Sequence, residues 1–106
     1  PVTERCQSHM VGLMGGTGGG QTGATVHQQI ASLERWDRIA AAAGVDALIT
    51  NHPSHQSANE RQALVRYAQP GDANPFVYGT ERHSRFVTLL ATCSRLQLAR
   101  MGETGE

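Results

Sequence analysis

The chain is poor in most features that would name a function at sight. Only 5% of its 106 residues are aromatic, so large core anchors are scarce. Its two cysteines, Cys6 and Cys93, lie far apart, with no C-x-x-C spacing, which excludes a disulfide framework. Nine basic residues balance nine acidic ones, scattered without a basic run. That leaves no electrostatic case for nucleic acid or for an anionic membrane. No apolar run approaches the roughly 20 residues that a membrane span needs. The order of charge, apolar run and small residues that marks a signal peptide is missing from the N-terminus. None of the five histidines forms H-x-H or H-E-x-x-H, so no local pair proposes a metal site.

The present features suit one small domain over residues 1–106. The stretch from Pro1 to Met10 holds little that would start a domain. His9 to Met14 is a short apolar run feeding a glycine-rich segment, and it reads as a buried strand. From Thr25 to about Ala43 the period becomes helical. Val26, Ile30, Leu33, Ala40 and Ala43 form the buried face, flanked by Trp36 and Ile39. Thr25 is the expected N-cap and Gly44 the C-cap glycine. Val45 to Thr50 reads as a second buried strand. Asn51 to His55 is a loop, because Pro53 restricts His52 to extended geometry. A weaker helix over Ala58 to about Ala68 carries Leu64 and Tyr67, and a turn-rich connection follows from Gln69 to Pro75. A last helix runs from Thr80 to about Met101, with Phe86, Leu89, Leu90, Cys93 and Leu96 on one face. Cys93 is expected in the core. The fold class is therefore α/β, with few strands and about three helices.

Two nucleotide motifs nearly overlap in Gly15–Gly23. Gly15, Gly20 and Thr22 fit a phosphate loop, but Gln21 stands where the lysine must be and brings no charge. Gly18, Gly20 and Gly23 fit a dinucleotide fingerprint, but that needs an acidic residue at the end of the next strand. Asp46 sits at the start of that strand. The glycines are read as permitting a sharp turn or close packing. Among the histidines, His52 stands out: it follows the carboxyl end of a buried strand, where ligands gather in open α/β sheets. It suits a metal ligand or a general base, with His55 as a weaker companion. His9, His27 and His83 read as surface or helix-face residues. Ser54 and Ser57 lack a G-x-S-x-G setting.

The run Val45-Asp-Ala-Leu-Ile-Thr-Asn-His-Pro-Ser-His-Gln-Ser57 resembles the C-terminal signature of the metallo-β-lactamase superfamily. It is closest to the third subclass of metallo-β-lactamases and its non-lactamase relatives. A helix ending in Ala-Gly-Val-Asp precedes it, and Pro70-Gly-Asp-Ala-Asn-Pro-Phe-Val77 and a long final helix follow. The resemblance spans roughly Val11 to Arg100. It implies the C-terminal half of an αββα sandwich and a hydrolase with two zinc ions holding a hydroxide. His52 would be the last ligand of the second zinc. The glycine stretch would lie beside the cleft, with Thr17 as a substrate-binding hydroxyl. The implied substrate is a small molecule, a β-lactam or a related amide or ester, and many relatives are exported to the bacterial periplasm.

The family's H-x-H-x-D-H motif and its middle histidine are absent from these residues. One imidazole does not make a zinc site, which takes three protein ligands. The chain alone is not expected to hydrolyse anything. The other reading is a non-catalytic binding or assembly module. Half a sandwich leaves a sheet face and edge uncovered, and such a surface associates with itself or a partner.

Overall fold

The computed structural model describes residues 2–4, 6–15, 22–51 and 57–102. The element order is β1 (Val2–Glu4), β2 (Gln7–Met14), α1 (Gly23–Ala43), β3 (Val45–Thr50), α2 (Ala58–Arg66) and α3 (Thr80–Arg100). The class is α/β, as the alternating patterns imply. The sheet has three strands in the order β1-β2-β3. β1 pairs antiparallel with β2, and β2 pairs parallel with β3. A parallel pair needs a crossover, and α1 supplies it. Among the described residues, no helix is long and apolar enough to cross a membrane.

The N-terminal stretch differs from expectation. Val2–Glu4 and Gln7–Met14 pair, so β2 begins before His9. Hydrogen bonding to a neighbour strand extends a segment that its own apolar pattern leaves undecided. Cys6 lies in the connection with a φ of 64°.

Helix α1 starts two residues before the expected point. Its N-cap is Thr22, not Thr25. The Thr22 hydroxyl accepts the Thr25 N–H at 3.3 Å, and the Thr25 hydroxyl accepts the Thr22 N–H at 3.0 Å. This reciprocal capping box satisfies two otherwise orphaned donors. Gly44 closes the helix in the left-handed region, with φ 71°, and its N–H reaches back to the Ala40 and Ala41 carbonyls. The chain turns there and enters β3 at once.

Strand β3 carries an irregularity that organises the sheet. Met10 is opposite Val45, but Val11 is opposite Ala47. Asp46 is thus the extra residue of a bulge, and the alternation of side chains resets across it. That reset puts Val45 and Leu48 together on the helix-covered face and Ala47 and Ile49 on the other, where Ala47 is buried beside its bridge partner Val77 and Ile49 is exposed. Gly12, beside Val45 and against the Trp36 indole, shares the helix-covered face.

The main core joins that face to two helices. Met14, Leu33, Leu48, Val87 and Ala91 pack together, with Trp36, Tyr78, Phe86 and Leu90 against them. A second cluster of Val26, Ile30 and Leu98 lies nearer the start of α1 and the end of α3. These contacts make α1 and α3 antiparallel neighbours. Burying one such side chain contributes about 1.5–3 kcal/mol.

The buried stripe of α3 is the expected one only in part: Phe86 and Leu90 pack half-buried against the core. It runs through His83, Val87, Ala91, Ser94 and Leu98, whereas Leu89 and Leu96 are more than half exposed. Cys93 is exposed as well, not in the core. The small residues Ala91 and Ser94 let the helices approach closely. Ser94 stays satisfied by donating to the Leu90 carbonyl at 3.0 Å and accepting from Gln29 Nε2 at 3.2 Å. Ala43 of α1 is exposed too.

Helix α2 has a mostly exposed surface, including Leu64 and Val65, and Tyr67 follows its last turn. Arg61 ties it down: its guanidinium donates to the Pro75 carbonyl and stands 5.1 Å over the Tyr78 ring.

Candidate functional site

The two residues singled out from the sequence, His52 and Thr17, lie outside the described residues, as do Gly16–Gln21. Their immediate neighbours are placed. Met14 is opposite Thr50 in the parallel ladder, so β2 and β3 end side by side at their carboxyl ends. The Asn51 N–H donates to the Met14 carbonyl at 3.4 Å, one step beyond the strands. A Cβ built on Gly15 would stand 3.5 Å from the Asn51 amide, an ordinary contact distance. Segment 16–21 and segment 52–56 therefore depart from adjacent points. Helix α1 then begins at Gly23, directly after the first of them. This is the edge of an α/β sheet at which ligands gather.

The opposite end of β3 holds a polar cluster that the sequence reading missed. His9 Nδ1 lies 2.6 Å from Asp46 Oδ2, and the Met10 N–H donates to Asp46 Oδ1 at 3.0 Å. The pair is largely enclosed, with side-chain exposures of 10% and 21%. The bulge turns the Asp46 carboxylate toward β2, where it takes the place of a ladder acceptor. Its own carbonyl faces the other way and accepts from both the Tyr78 and Gly79 N–H groups at 3.0 Å. Asp46 thus stitches three segments together. An aspartate behind an imidazole also orients general bases. Here the pair pins a bulge at the amino end of β3, away from the edge just described. His9, read as a surface or helix-face residue, is part-buried in β2 against Asp46. The one signal in the sequence was an acidic residue inside an apolar strand.

His83, read as a surface or helix-face residue, lies on the buried face of α3 and is 1% exposed. Its Nε2 accepts the Trp36 Nε1–H at 3.3 Å, with ring centroids 6.1 Å apart. Burial holds its pKa below the usual imidazole range, partly offset by the Asp37 carboxylate. Burial likewise pushes the Tyr78 phenol up to about 12, against the opposing pull of Arg61. Between α1 and α3 runs a groove of about 100 Å³ lined by Glu34, Asp37, Val87, Thr88, Ala91 and Arg95. Arg95 and Glu34 form an ion pair across it.

Among the described residues, no group of three or more His, Cys, Asp or Glu side chains could hold a metal ion. Comparison with known proteins gives no match, whether with a family model, a curated protein or a solved structure.

Proposed function

We propose that the chain is the C-terminal portion of a zinc-dependent hydrolase of the metallo-β-lactamase fold, with His52 as one metal ligand. The supporting observation is the parallel register of Met14 with Thr50 and the Gly15–Asn51 approach. It gives the glycine stretch with Thr17 and the segment with His52 a common point of departure. The substrate class is a β-lactam or a related amide or ester. One histidine does not fit a catalytic zinc, which takes three protein ligands and an open position. The remaining ligands have to come from outside these 106 residues. No hydrolytic step is assigned to this chain on its own.

The test is the coding sequence upstream of Pro1. An in-frame H-x-H-x-D-H followed by a further histidine supports the reading. In the extended protein, His52→Ala then lowers bound zinc and abolishes hydrolysis of a chromogenic β-lactam or ester. An upstream sequence without that motif overturns it.

A second reading, a non-catalytic assembly module, is favoured by one observation. Leu13 and Ile49 are cross-strand partners, 65% and 42% exposed, on the face away from α1 and α3. Self-association through that face predicts a dimer in sedimentation velocity that Leu13→Arg dissociates. A monomer across the accessible concentration range eliminates it.

A further inference from the structure

The Trp36–His83 contact is built so that it accommodates only one protonation state of the imidazole. Trp36 Nε1 is a donor and nothing else. His83 Nε2, at 3.3 Å from it, has to be the bare nitrogen, which leaves the ring proton on Nδ1. A second proton would have to enter at Nε2, and two N–H groups would then face each other. The bond is held in place from both sides. His83 is 1% exposed, and the indole is wedged against Gly12 of β2. Trp36 therefore links α1, α3 and the sheet through one polar contact.

A second acceptor waits one residue along the same helix. Asp37 Oδ1 is buried and, among the described residues, has no hydrogen-bond partner. A buried orphan carboxylate oxygen is costly and calls for an explanation. Its negative charge acts on His83. Asp37 also lines the groove between α1 and α3, which is large enough for several water molecules.

We propose that His83 is an acid-driven switch: neutral, it accepts from Trp36; protonated, it releases Trp36 and pairs with Asp37 Oδ1. The exchange converts a neutral hydrogen bond into a charge-assisted one, which is stronger in a buried setting. It also frees the indole that braces β2 through Gly12. The other charged groups nearby have partners of their own. Glu34 of α1 is paired with Arg95 of α3, and Asp46 of β3 is engaged by His9 and the Met10 N–H. Tyr78, packed against the same cluster, stays neutral throughout the acid range. Arg82, the neighbour on α3, is exposed. Asp37 is thus the anion available to an imidazolium at this position.

The experiment is a pH titration of the full chain, read by two-dimensional NMR. It follows the His83 ring carbon-bound protons and the Trp36 indole N–H together. Fluorescence is a second probe, because Trp36 is the sole tryptophan. The expected result is a single midpoint, below that of free histidine, shared by the His83 ring, the indole N–H and the emission. In Asp37→Asn that midpoint moves to lower pH. In His83→Gln the indole signals do not titrate over the same range. Far-UV circular dichroism establishes that each variant stays folded across the titration. If the indole N–H is unchanged while His83 titrates, the switch is overturned. If Asp37→Asn leaves the midpoint in place or raises it, the exchange with Asp37 is overturned.

Discussion

Replacing Gly12 with alanine tests the packing on which the sheet depends. The added Cβ would stand 2.8 Å from Trp36 Cζ2, 3.2 Å from Trp36 Cη2 and 3.1 Å from Val45 Cγ1. The first distance is shorter than real carbon contacts allow, so the indole or the strand has to shift. The indole is a rigid ring and its N–H is tied to His83, so it does not yield by a simple rotation. Overpacking of this kind costs about 1–3 kcal/mol. Removing a strand-interior glycine gives back roughly 0.5–1 kcal/mol of chain entropy. The net expectation is a loss of about 1–2 kcal/mol. For a domain of this size that lowers the melting temperature by roughly 5–15 °C. Thermal and urea unfolding, followed by far-UV circular dichroism, measure it. The same substitution in a Trp36→Phe background supplies the control, since phenylalanine lacks the outer ring atoms that the Cβ meets. There the cost should shrink by about 1 kcal/mol or more, the coupling expected of residues in contact. A Gly12→Ala protein as stable as the parent refutes the reasoning, and so does an equal cost in both backgrounds.

Asp46→Ala removes the acceptor for the Met10 N–H and the partner of His9, at about 1.5–3 kcal/mol for a lost hydrogen bond to a charged group. Urea denaturation checks it, and Asp46→Asn, which keeps one acceptor, should recover part of the loss. Gly44→Ala forces a side chain into φ 71° and should cost about 1 kcal/mol, read as a lower urea midpoint. The pH dependence of stability follows from His83, whose folded pKa lies below the ordinary 6.5. The unfolded chain then takes up the proton more readily than the fold. The His83 contribution is complete above the unfolded value and is lost as pH falls from there toward the folded one. Urea midpoints should drop across that window in the wild type and drop less in His83→Gln.

The elements that sequence reveals best here are those whose period is carried by aliphatic residues. Helix α1 and strand β3 have such periods, and Gly44 marks the joint between them where a left-handed residue is required. Reading α3 from its largest apolar residues found Phe86 and Leu90 but missed the centre of the buried stripe. Leu89 and Leu96 are large but face solvent, while the interface uses Ala91 and Ser94 because close helix approach favours small side chains. The burial of His83 went unread for a related reason. An imidazole is amphipathic, and only its acceptor contact with Trp36 makes its burial tolerable. That partner is 47 residues away, so local pattern does not announce it. The bulge at Asp46 was hidden because it depends on the register between two strands, and register is a pairwise property. The candidate ligand position was legible through chain order alone: a histidine and a proline follow a buried strand. The register then adds what chain order lacked, the approach of Asn51 to Met14 and Gly15 at the strand ends.

The two ends of β3 divide the work of the sheet. At the amino end Asp46 binds three segments with its carboxylate and its carbonyl, which makes that end costly to deform. At the carboxyl end the contact between β2 and β3 passes through the Asn51 N–H and the Met14 carbonyl, and Gly15 leaves ordinary contact room beside Asn51. A site needs a rigid base and connections free to vary in sequence, and this polarity provides both. Both functional readings use it, in different ways. In the hydrolase reading the carboxyl edge carries the site, and the Leu13–Ile49 face packs against the second sheet of the complete sandwich. The assembly reading needs the exposed Leu13–Ile49 face itself. Leu13→Arg tests that face in this chain: it leaves the strand-end contacts between Asn51 and Met14 intact while removing the apolar surface. Loss of self-association with an unchanged fold supports the module where the upstream coding sequence lacks H-x-H-x-D-H, since half a sandwich would associate through the same face. A monomer both before and after the substitution leaves His52 as the feature to follow.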